Sequence, residues 1–278
     1  MASYHLNVEI VSRGKANSIT AVFAYTGGEK LRDDYEGKTH DRSYRQDVIY
    51  KEILLPEGAP HRFLDRQTLV NAIDASEKRS DSQMARSIKI ALPNELSFEE
   101  NIALTKEFVT ENFIDIGMCA DIAIHEGLLD ESRKPINIEA VHERQNNPHA
   151  HIIVPFRTLG KDGFHKTKTQ GRYMNNPSFL VMWRQRWAEL QNREFIRLGL
   201  PIRVSHESNA TRGITQEPTA HIGAGAMALE LRDVRTDRGD VYRETMTRNK
   251  ERSRENERDM ARYRGHERVR DRSIERSR

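Results

Sequence analysis

The sequence has a single cysteine and no long hydrophobic run. Cys119 alone cannot form an intrachain disulfide, which excludes a disulfide-stapled scaffold and fits a reducing compartment. No stretch of about 18 apolar residues and no signal-peptide pattern is present, so we expect no membrane insertion and a cytoplasmic location. A G-x-x-x-x-G-K-[ST] motif is also missing, so the sequence predicts no phosphate-binding loop for ATP.

The composition supports a folded core with an uneven distribution of charge. Of 278 residues, 36% are hydrophobic and 31% are charged. Residues 241–278 are basic overall and poor in apolar residues, whereas residues 1–240 are close to neutral. We therefore predict a domain over residues 1–240 and a charged extension over 241–278, either helical or disordered. A basic tail of this kind suits nucleic acid or a membrane surface, and equally a solvated helix.

Hydrophobic spacing alternates between strand-like and helix-like segments along residues 1–240. Alternation predicts strands at 4–12, 47–56, 87–93 and 118–127, and one or two extended segments within 135–156. Helical spacing appears at 17–31, 66–88, 97–117 and 177–199. Short strand-to-strand connections favour an α+β fold with a central antiparallel β-sheet flanked by helices.

Two histidines stand one residue apart in "NPHAHIIV", just before an apolar run. On a strand, His149 and His151 point to the same face, where they can contribute two ligands to a metal ion. A third imidazole has two candidates, His125 at the end of the 118–127 strand and His142 in the segment leading to the pair. Asp121 shares a face with His125 and could fix its tautomer.

Several short motifs in a fixed order resemble the MobA/MobL-type plasmid relaxases of the HUH (His-hydrophobe-His) endonuclease superfamily. They are "YHL", "SITAVFAY" with the glycines after it, "EILLP", "SQMARSIKIALPNEL", "DIAIHEG", "NPHAHIIV", "WRQRWAELQNREF", "GITQEPTAHIGAGAMALELR" and "TDRGD". The resemblance runs over most of the chain. It implies an HUH relaxase fold and a DNA-nicking enzyme that starts conjugative mobilisation.

The resemblance also implies a mechanism. Tyr25 matches the nucleophile that keeps the 5′ end of the nicked strand as a phosphotyrosine, and a three-histidine ion, Mg²⁺ or Mn²⁺ with Zn²⁺ as the alternative, polarises the phosphate. The frame "DIAIH" selects His125 as third ligand, with His142 the alternative because "GLLDESRKPINIEAVHERQN" lengthens the usual stretch before the histidine pair. Ser87 replaces a glutamate that many relatives carry, and Glu77 or Asp121 could compensate. Without the resemblance, the apolar run around Tyr25 favours a core position for its side chain over a catalytic one.

The implied partners are single-stranded DNA at the transfer origin, accessory mobilisation proteins, a coupling protein and a type IV secretion system. The protein could also travel to the recipient cell attached to the DNA. Basic residues predicted to contact the strand are Arg13, Lys15, Arg86, Lys161, Lys166, Lys168 and Arg172. Tyr4, Tyr35, Tyr50 and Tyr173 are other candidate nucleophiles. Alternative functions are a rolling-circle replication initiator, a non-catalytic zinc and nucleic-acid-binding protein, and a hydrolase of phosphodiesters.

Overall fold

A computed structural model describes residues 4–13, 18–126, 147–219, 222–230 and 232–276. The chain divides into two compact units. The first contains the described residues up to His206, and the second contains those from Glu207 onwards. This division falls before the predicted boundary at residue 240.

A five-stranded antiparallel sheet forms the centre of the first unit. Its strands are β1 (Leu6–Ser12), β4 (Val48–Leu54), β5 (Gln83–Ala91), β6 (Ala120–His125) and β7 (His149–Pro155), in the spatial order β1-β5-β7-β6-β4. Every neighbouring pair runs antiparallel. The α+β class with a central antiparallel sheet is therefore confirmed.

Each face of the sheet carries its own hydrophobic core. On one face, α1 (Ile19–Gly27) and α2 (Arg66–Ala75) cover residues such as Ala85 and Ile153. On the other, α3 (Phe98–Val109) and α5 (Pro177–Arg197) cover residues such as Ile88 and Ile152. Trp183 and Trp187 of α5 are buried in this second core. Because side chains alternate along a strand, the register decides which core each strand residue joins.

Smaller elements complete the first unit. They are the hairpin β2 (Lys30–Asp33) and β3 (Lys38–Asp41), a 3₁₀ turn at His61–Leu64, a π-helical turn at Thr110–Ile114, the hairpin β8 (Leu159–Gly160) and β9 (Gly163–Phe164), and α4 (Thr169–Tyr173). Ser97 and Glu100 form the capping box that begins α3. The helical spacing predicted over 66–88 is wrong in its second half, because α2 ends at Ala75 and β5 already begins at Gln83.

The second unit contains α6 (Ala224–Glu230) and the long helix α7 (Asp237–Arg276), so the predicted charged extension is helical. Ile222 and Tyr242 form a small buried cluster. The Glu230 carboxylate accepts hydrogen bonds from Thr236 and Arg243. Within the described ranges, none of the helices combines the length and apolar character that crossing a membrane requires.

Candidate active site

Three histidine rings converge on the sheet face that α1 and α2 cover. His125 of β6 pairs with His149 of β7, and His151 pairs with Ala123 two residues further along. The ring centroids lie 4.5 Å apart for His125 and His151, 5.2 Å for His125 and His149, and 5.1 Å for His149 and His151. One ring nitrogen from each lies within 4.8 Å of the others, which is close enough for one metal ion.

The surroundings of the three rings favour the neutral form that a metal ligand needs. Burial lowers the pKa of His125, lowers the pKa of His149 to about 4 and lowers the pKa of His151 to about 2. His149 Nδ1 donates to the carbonyl of Asn147 at 2.9 Å, which leaves the Nε2 lone pair available. His125 Nε2 donates to the Thr26 carbonyl at 2.8 Å. The donor set therefore fits a divalent metal ion.

Tyr25 lies on the last turn of α1, directly beside this cluster. Ser18 caps the start of the helix by accepting from the amide of Ala21 at 3.2 Å. Gly28 ends it in the left-handed conformation at φ 59°. The Tyr25 side chain is 48% exposed, and its ring centroid lies 6.4 Å from His125 and 6.3 Å from His151.

Two of the other candidate tyrosines have hydroxyls engaged elsewhere. The Tyr4 hydroxyl donates to the carbonyl of Arg184 at 2.6 Å, and the Tyr50 hydroxyl donates a hydrogen bond to the Glu52 carboxylate. Burial raises the pKa of Tyr4 and that of Tyr50. Among the described residues, Tyr25 is the tyrosine whose ring contacts the histidine rings.

Arg45 and Asp47 also contact this site, although the sequence analysis did not identify them. The Arg45 Cζ atom lies 4.0 Å from the centroid of the Tyr25 ring. Its guanidinium is paired with Asp47, and Asp47 Oδ2 lies 3.8 Å from His125 Nδ1. The sequence offered one signal for them, their position at the start of the strand predicted at 47–56. The structure shows why this position matters, because Val48 pairs with His125 across the sheet.

Asp121 does not support His125 as predicted. Its carboxylate binds Arg66, with Nε–Oδ2 at 3.0 Å and Nη2–Oδ1 at 2.6 Å. Both side chains are buried, and Arg66 Nη1 also binds Glu29 Oε1 at 2.6 Å. Among the described residues, Asp47 brings a carboxylate oxygen to 3.8 Å from His125 Nδ1, because the loop before β4 reaches the end of β6 where His125 lies.

Three of the predicted DNA contacts are instead held inside the protein. Arg13 binds Asp74 at 2.7 Å, and Lys168 binds Glu77 at 2.6 Å. Arg86 is 1% exposed, donates to Asn175 at 2.7 Å and pairs across the sheet with Val154, on the face opposite the histidines. Burial lowers the pKa of Arg86 to about 10.

The other predicted cations divide between exposed and undescribed positions. Lys161, Lys166 and Arg172 are exposed. Lys15 and His142 lie outside the described residues. Glu77, which also binds Arg157 at 2.7 Å, is paired with two basic side chains, and its compensation for Ser87 stays a prediction.

Lys89 is a further cation that the sequence analysis missed. It is exposed and is the direct cross-strand neighbour of His151, so both side chains leave the same face of the sheet. The alternation of β5 could have identified it, had the pairing of β5 with β7 been known.

The fold and this site define a class: antiparallel-sheet proteins with a three-histidine centre beside a helix-borne tyrosine. The model of the MobA/MobL family matches residues 17–232, and the chain belongs to this family. The mobilization protein MobL of Acidithiobacillus ferridurans is 32% identical over 265 residues, covering 89% of this chain and 69% of that protein.

Two further comparisons set the extent of the likeness. The conjugal transfer protein TraA of Agrobacterium fabrum is 31% identical over 257 residues, and the match covers 82% of this chain but only 22% of TraA. A solved structure described as the molecular basis of vancomycin resistance transfer in Staphylococcus aureus is 35% identical, with a TM-score of 0.63. That match covers 74% of this chain and 100% of the solved one.

Proposed function

We propose that this protein nicks and rejoins one strand of plasmid DNA at an origin of transfer, through a covalent 5′-phosphotyrosyl intermediate at Tyr25. The observation that carries the proposal is the exposed Tyr25 ring 6.3 Å from His151, beside three convergent imidazoles. Membership of the MobA/MobL family, whose relatives include proteins named for mobilization and conjugal transfer, supports the same function.

His125, His149 and His151 are the residues that would hold a divalent metal ion. When bound there, the ion would supply a Lewis acid that draws charge from the non-bridging oxygens of the scissile phosphate. Mg²⁺, Mn²⁺ and Zn²⁺ are the ions to test, and three imidazoles favour a transition metal over Mg²⁺.

Tyr25 performs the bond exchange. Its phenol oxygen bonds to phosphorus while the bond from phosphorus to the 3′ oxygen breaks, and the phenol proton is lost to water as the 3′ oxygen gains one. The phosphotyrosine replaces one phosphodiester by another, so the 3′ hydroxyl can attack it and reseal the strand without ATP. The exposed position of Tyr25 gives DNA access to the hydroxyl.

The DNA strand needs cations near the site. We propose that exposed Lys89 beside His151 contacts its phosphates, together with Lys161, Lys166 and Arg172. Accessory mobilisation proteins, a coupling protein and a type IV secretion system stay predictions, as does transfer of the protein with the DNA.

The proposal is tested with labelled single-stranded oligonucleotides that span the transfer origin of the source plasmid, incubated with the protein and each metal in turn. We expect a protein–DNA adduct that survives denaturation and is absent in Tyr25→Phe. Tyr173→Phe is the matched control, because Tyr173 is also exposed, at 65%, and its ring packs against Phe179. Cleavage without an adduct would indicate a hydrolase, and metal binding without cleavage a structural zinc protein.

The third ligand is decided by comparing His125→Ala with His142→Ala. Loss of the true ligand raises the metal concentration that half-maximal cleavage requires. If neither substitution changes that concentration, the proposed metal site is wrong.

A further inference from the structure

The loop over residues 42–47 brings a charged side chain, that of Arg45, to Tyr25. The Arg45 Cζ atom lies 4.0 Å from the centroid of the Tyr25 ring, and Arg45 Nη1 donates to the Tyr25 carbonyl at 3.2 Å. Arg45 Nη2 lies 3.4 Å from His125 Nδ1. One guanidinium therefore contacts both the candidate nucleophile and a candidate metal ligand.

The position of this guanidinium is fixed from two sides. Asp47 accepts from its Nε at 2.9 Å and from its Nη2, so the Nη1 edge is left to face Tyr25. A Cβ atom on Gly28 would lie 3.0 Å from Cγ2 of Val48, the first residue of β4, so the missing side chain lets the start of β4, which follows Arg45 and Asp47, lie against the end of α1.

Arg45 keeps its charge although its side chain is only 13% exposed. A guanidinium stays protonated in proteins, and this one is paired with Asp47 through two hydrogen bonds. Lys51 is also close to the end of α1, but its ammonium binds Glu29 at 2.5 Å and the Gly27 carbonyl at 3.3 Å. Arg45 therefore supplies a fixed positive charge in contact with the Tyr25 ring.

We propose that Arg45 is a catalytic residue of the nicking reaction, stabilising the negative charge on the Tyr25 phenol oxygen as it attacks and as it leaves. This inference rests on the proposed function. In the forward step the phenol loses its proton to water, its oxygen bonds to phosphorus, and the 3′ oxygen leaves and takes a proton from water. Resealing reverses each change, so the same guanidinium stabilises the departing phenolate.

The role is tested by single-turnover cleavage of the origin oligonucleotide by Arg45→Gln and Arg45→Lys. The matched control is Arg42→Gln in the same loop, because the Arg42 guanidinium donates to the Asp41 carbonyl and not to Tyr25. We expect Arg45→Gln to lower the maximal rate about 100-fold while the DNA dissociation constant, measured without metal, stays within about threefold. Arg45→Lys keeps the charge, so we expect it to recover at least about tenfold of that loss.

The outcomes separate this inference from the proposed function. An unchanged maximal rate in Arg45→Gln, or equal losses in the Gln and Lys variants, would overturn the role of the charge while leaving nicking by Tyr25 intact. If Tyr25→Phe still forms the adduct, the proposed function fails first. Circular dichroism melting of each variant checks that a slow rate does not come from unfolding.

Discussion

Replacing Arg66 with methionine should destabilise the first unit strongly. The Arg66 side chain is 8% exposed and that of its partner Asp121 is 1% exposed. Methionine keeps much of the apolar stem but removes the guanidinium, so the Asp121 carboxylate loses its ion partner inside the protein. Arg66 also lies against Gly27, where an added Cβ would sit 3.2 Å from its Nε atom. The same substitution therefore loosens the end of α1 that carries Tyr25.

The expected loss follows from the burial of the pair. Breaking a buried ion pair by removing one partner costs about 3–5 kcal/mol of unfolding free energy, out of a total of about 5–15 kcal/mol. For a unit of this size each kcal/mol lowers the melting temperature by about 2–4 °C, so we expect a fall of about 10 °C.

The loss should also depend on pH. Burial raises the pKa of Asp121, and Arg66 opposes this effect, so removing Arg66 raises that pKa further. A carboxyl with a raised pKa in the folded state is most destabilising above that pKa, when it must be charged. The difference in unfolding free energy between wild type and Arg66→Met should therefore shrink as the pH falls and the carboxyl is protonated.

Urea and thermal denaturation of purified protein, followed by circular dichroism, measure the effect. Arg79→Met is the control, because the Arg79–Asp81 pair is 81% and 65% exposed, and its loss should leave the midpoint unchanged. Adding Asp121→Leu to Arg66→Met should recover much of the stability, because an apolar pair leaves no buried charge. The reasoning is refuted if Arg66→Met costs less than about 1 kcal/mol, or if the double variant is no more stable than the single one.

Three further predictions concern the site. His149→Ala should abolish the rise in melting temperature that Mn²⁺ or Zn²⁺ produces in the wild type, as followed by differential scanning fluorimetry, and a rise that persists would place the ion elsewhere. Gly28→Ala should cost about 1–2 kcal/mol in urea denaturation because φ is 59°, and a neutral result would mean that the start of β4 at Val48 moves to accept the methyl group. Lys89→Gln should weaken binding of a single-stranded oligonucleotide at low salt and reduce its salt slope by about 0.7, as measured by fluorescence anisotropy, whereas an unchanged slope would exclude a phosphate contact.

Much of the fold could be predicted because strands and helices leave hydrophobic and capping patterns within short segments of sequence. The alternation of 118–127 and the apolar run after His151 marked two neighbouring strands, β6 and β7. The capping box at Ser97 marked the start of α3. The start of β5 could not be found in this way, because residues 66–88 keep helical spacing across the turn that follows Ala75.

The parts of the site that sequence reasoning missed depend on pairing between distant segments. Asp121 shares a face with His125, but Arg66, 55 residues earlier in the chain, takes its carboxylate. Arg45 reaches His125 across a separation of 80 residues, and no spacing rule connects the two. Asp121, which was predicted to support His125, therefore belongs to an ion pair with Arg66, whereas Arg45, which was not predicted, contacts the site. Both outcomes depend on tertiary neighbours that the sequence does not reveal.

The register of β5 explains why one arginine is structural while a nearby lysine belongs to the site. Arg86 pairs with Val154, is buried and donates to Gly171 and Asn175, whereas Lys89 pairs with His151 and leaves the face of the histidines. Lys89 follows Arg86 by three positions, an odd offset, so the two side chains leave opposite faces of the sheet. A cation three residues from another on a strand therefore cannot share its role, and a DNA strand lying over the histidines would pass Lys89 but not Arg86.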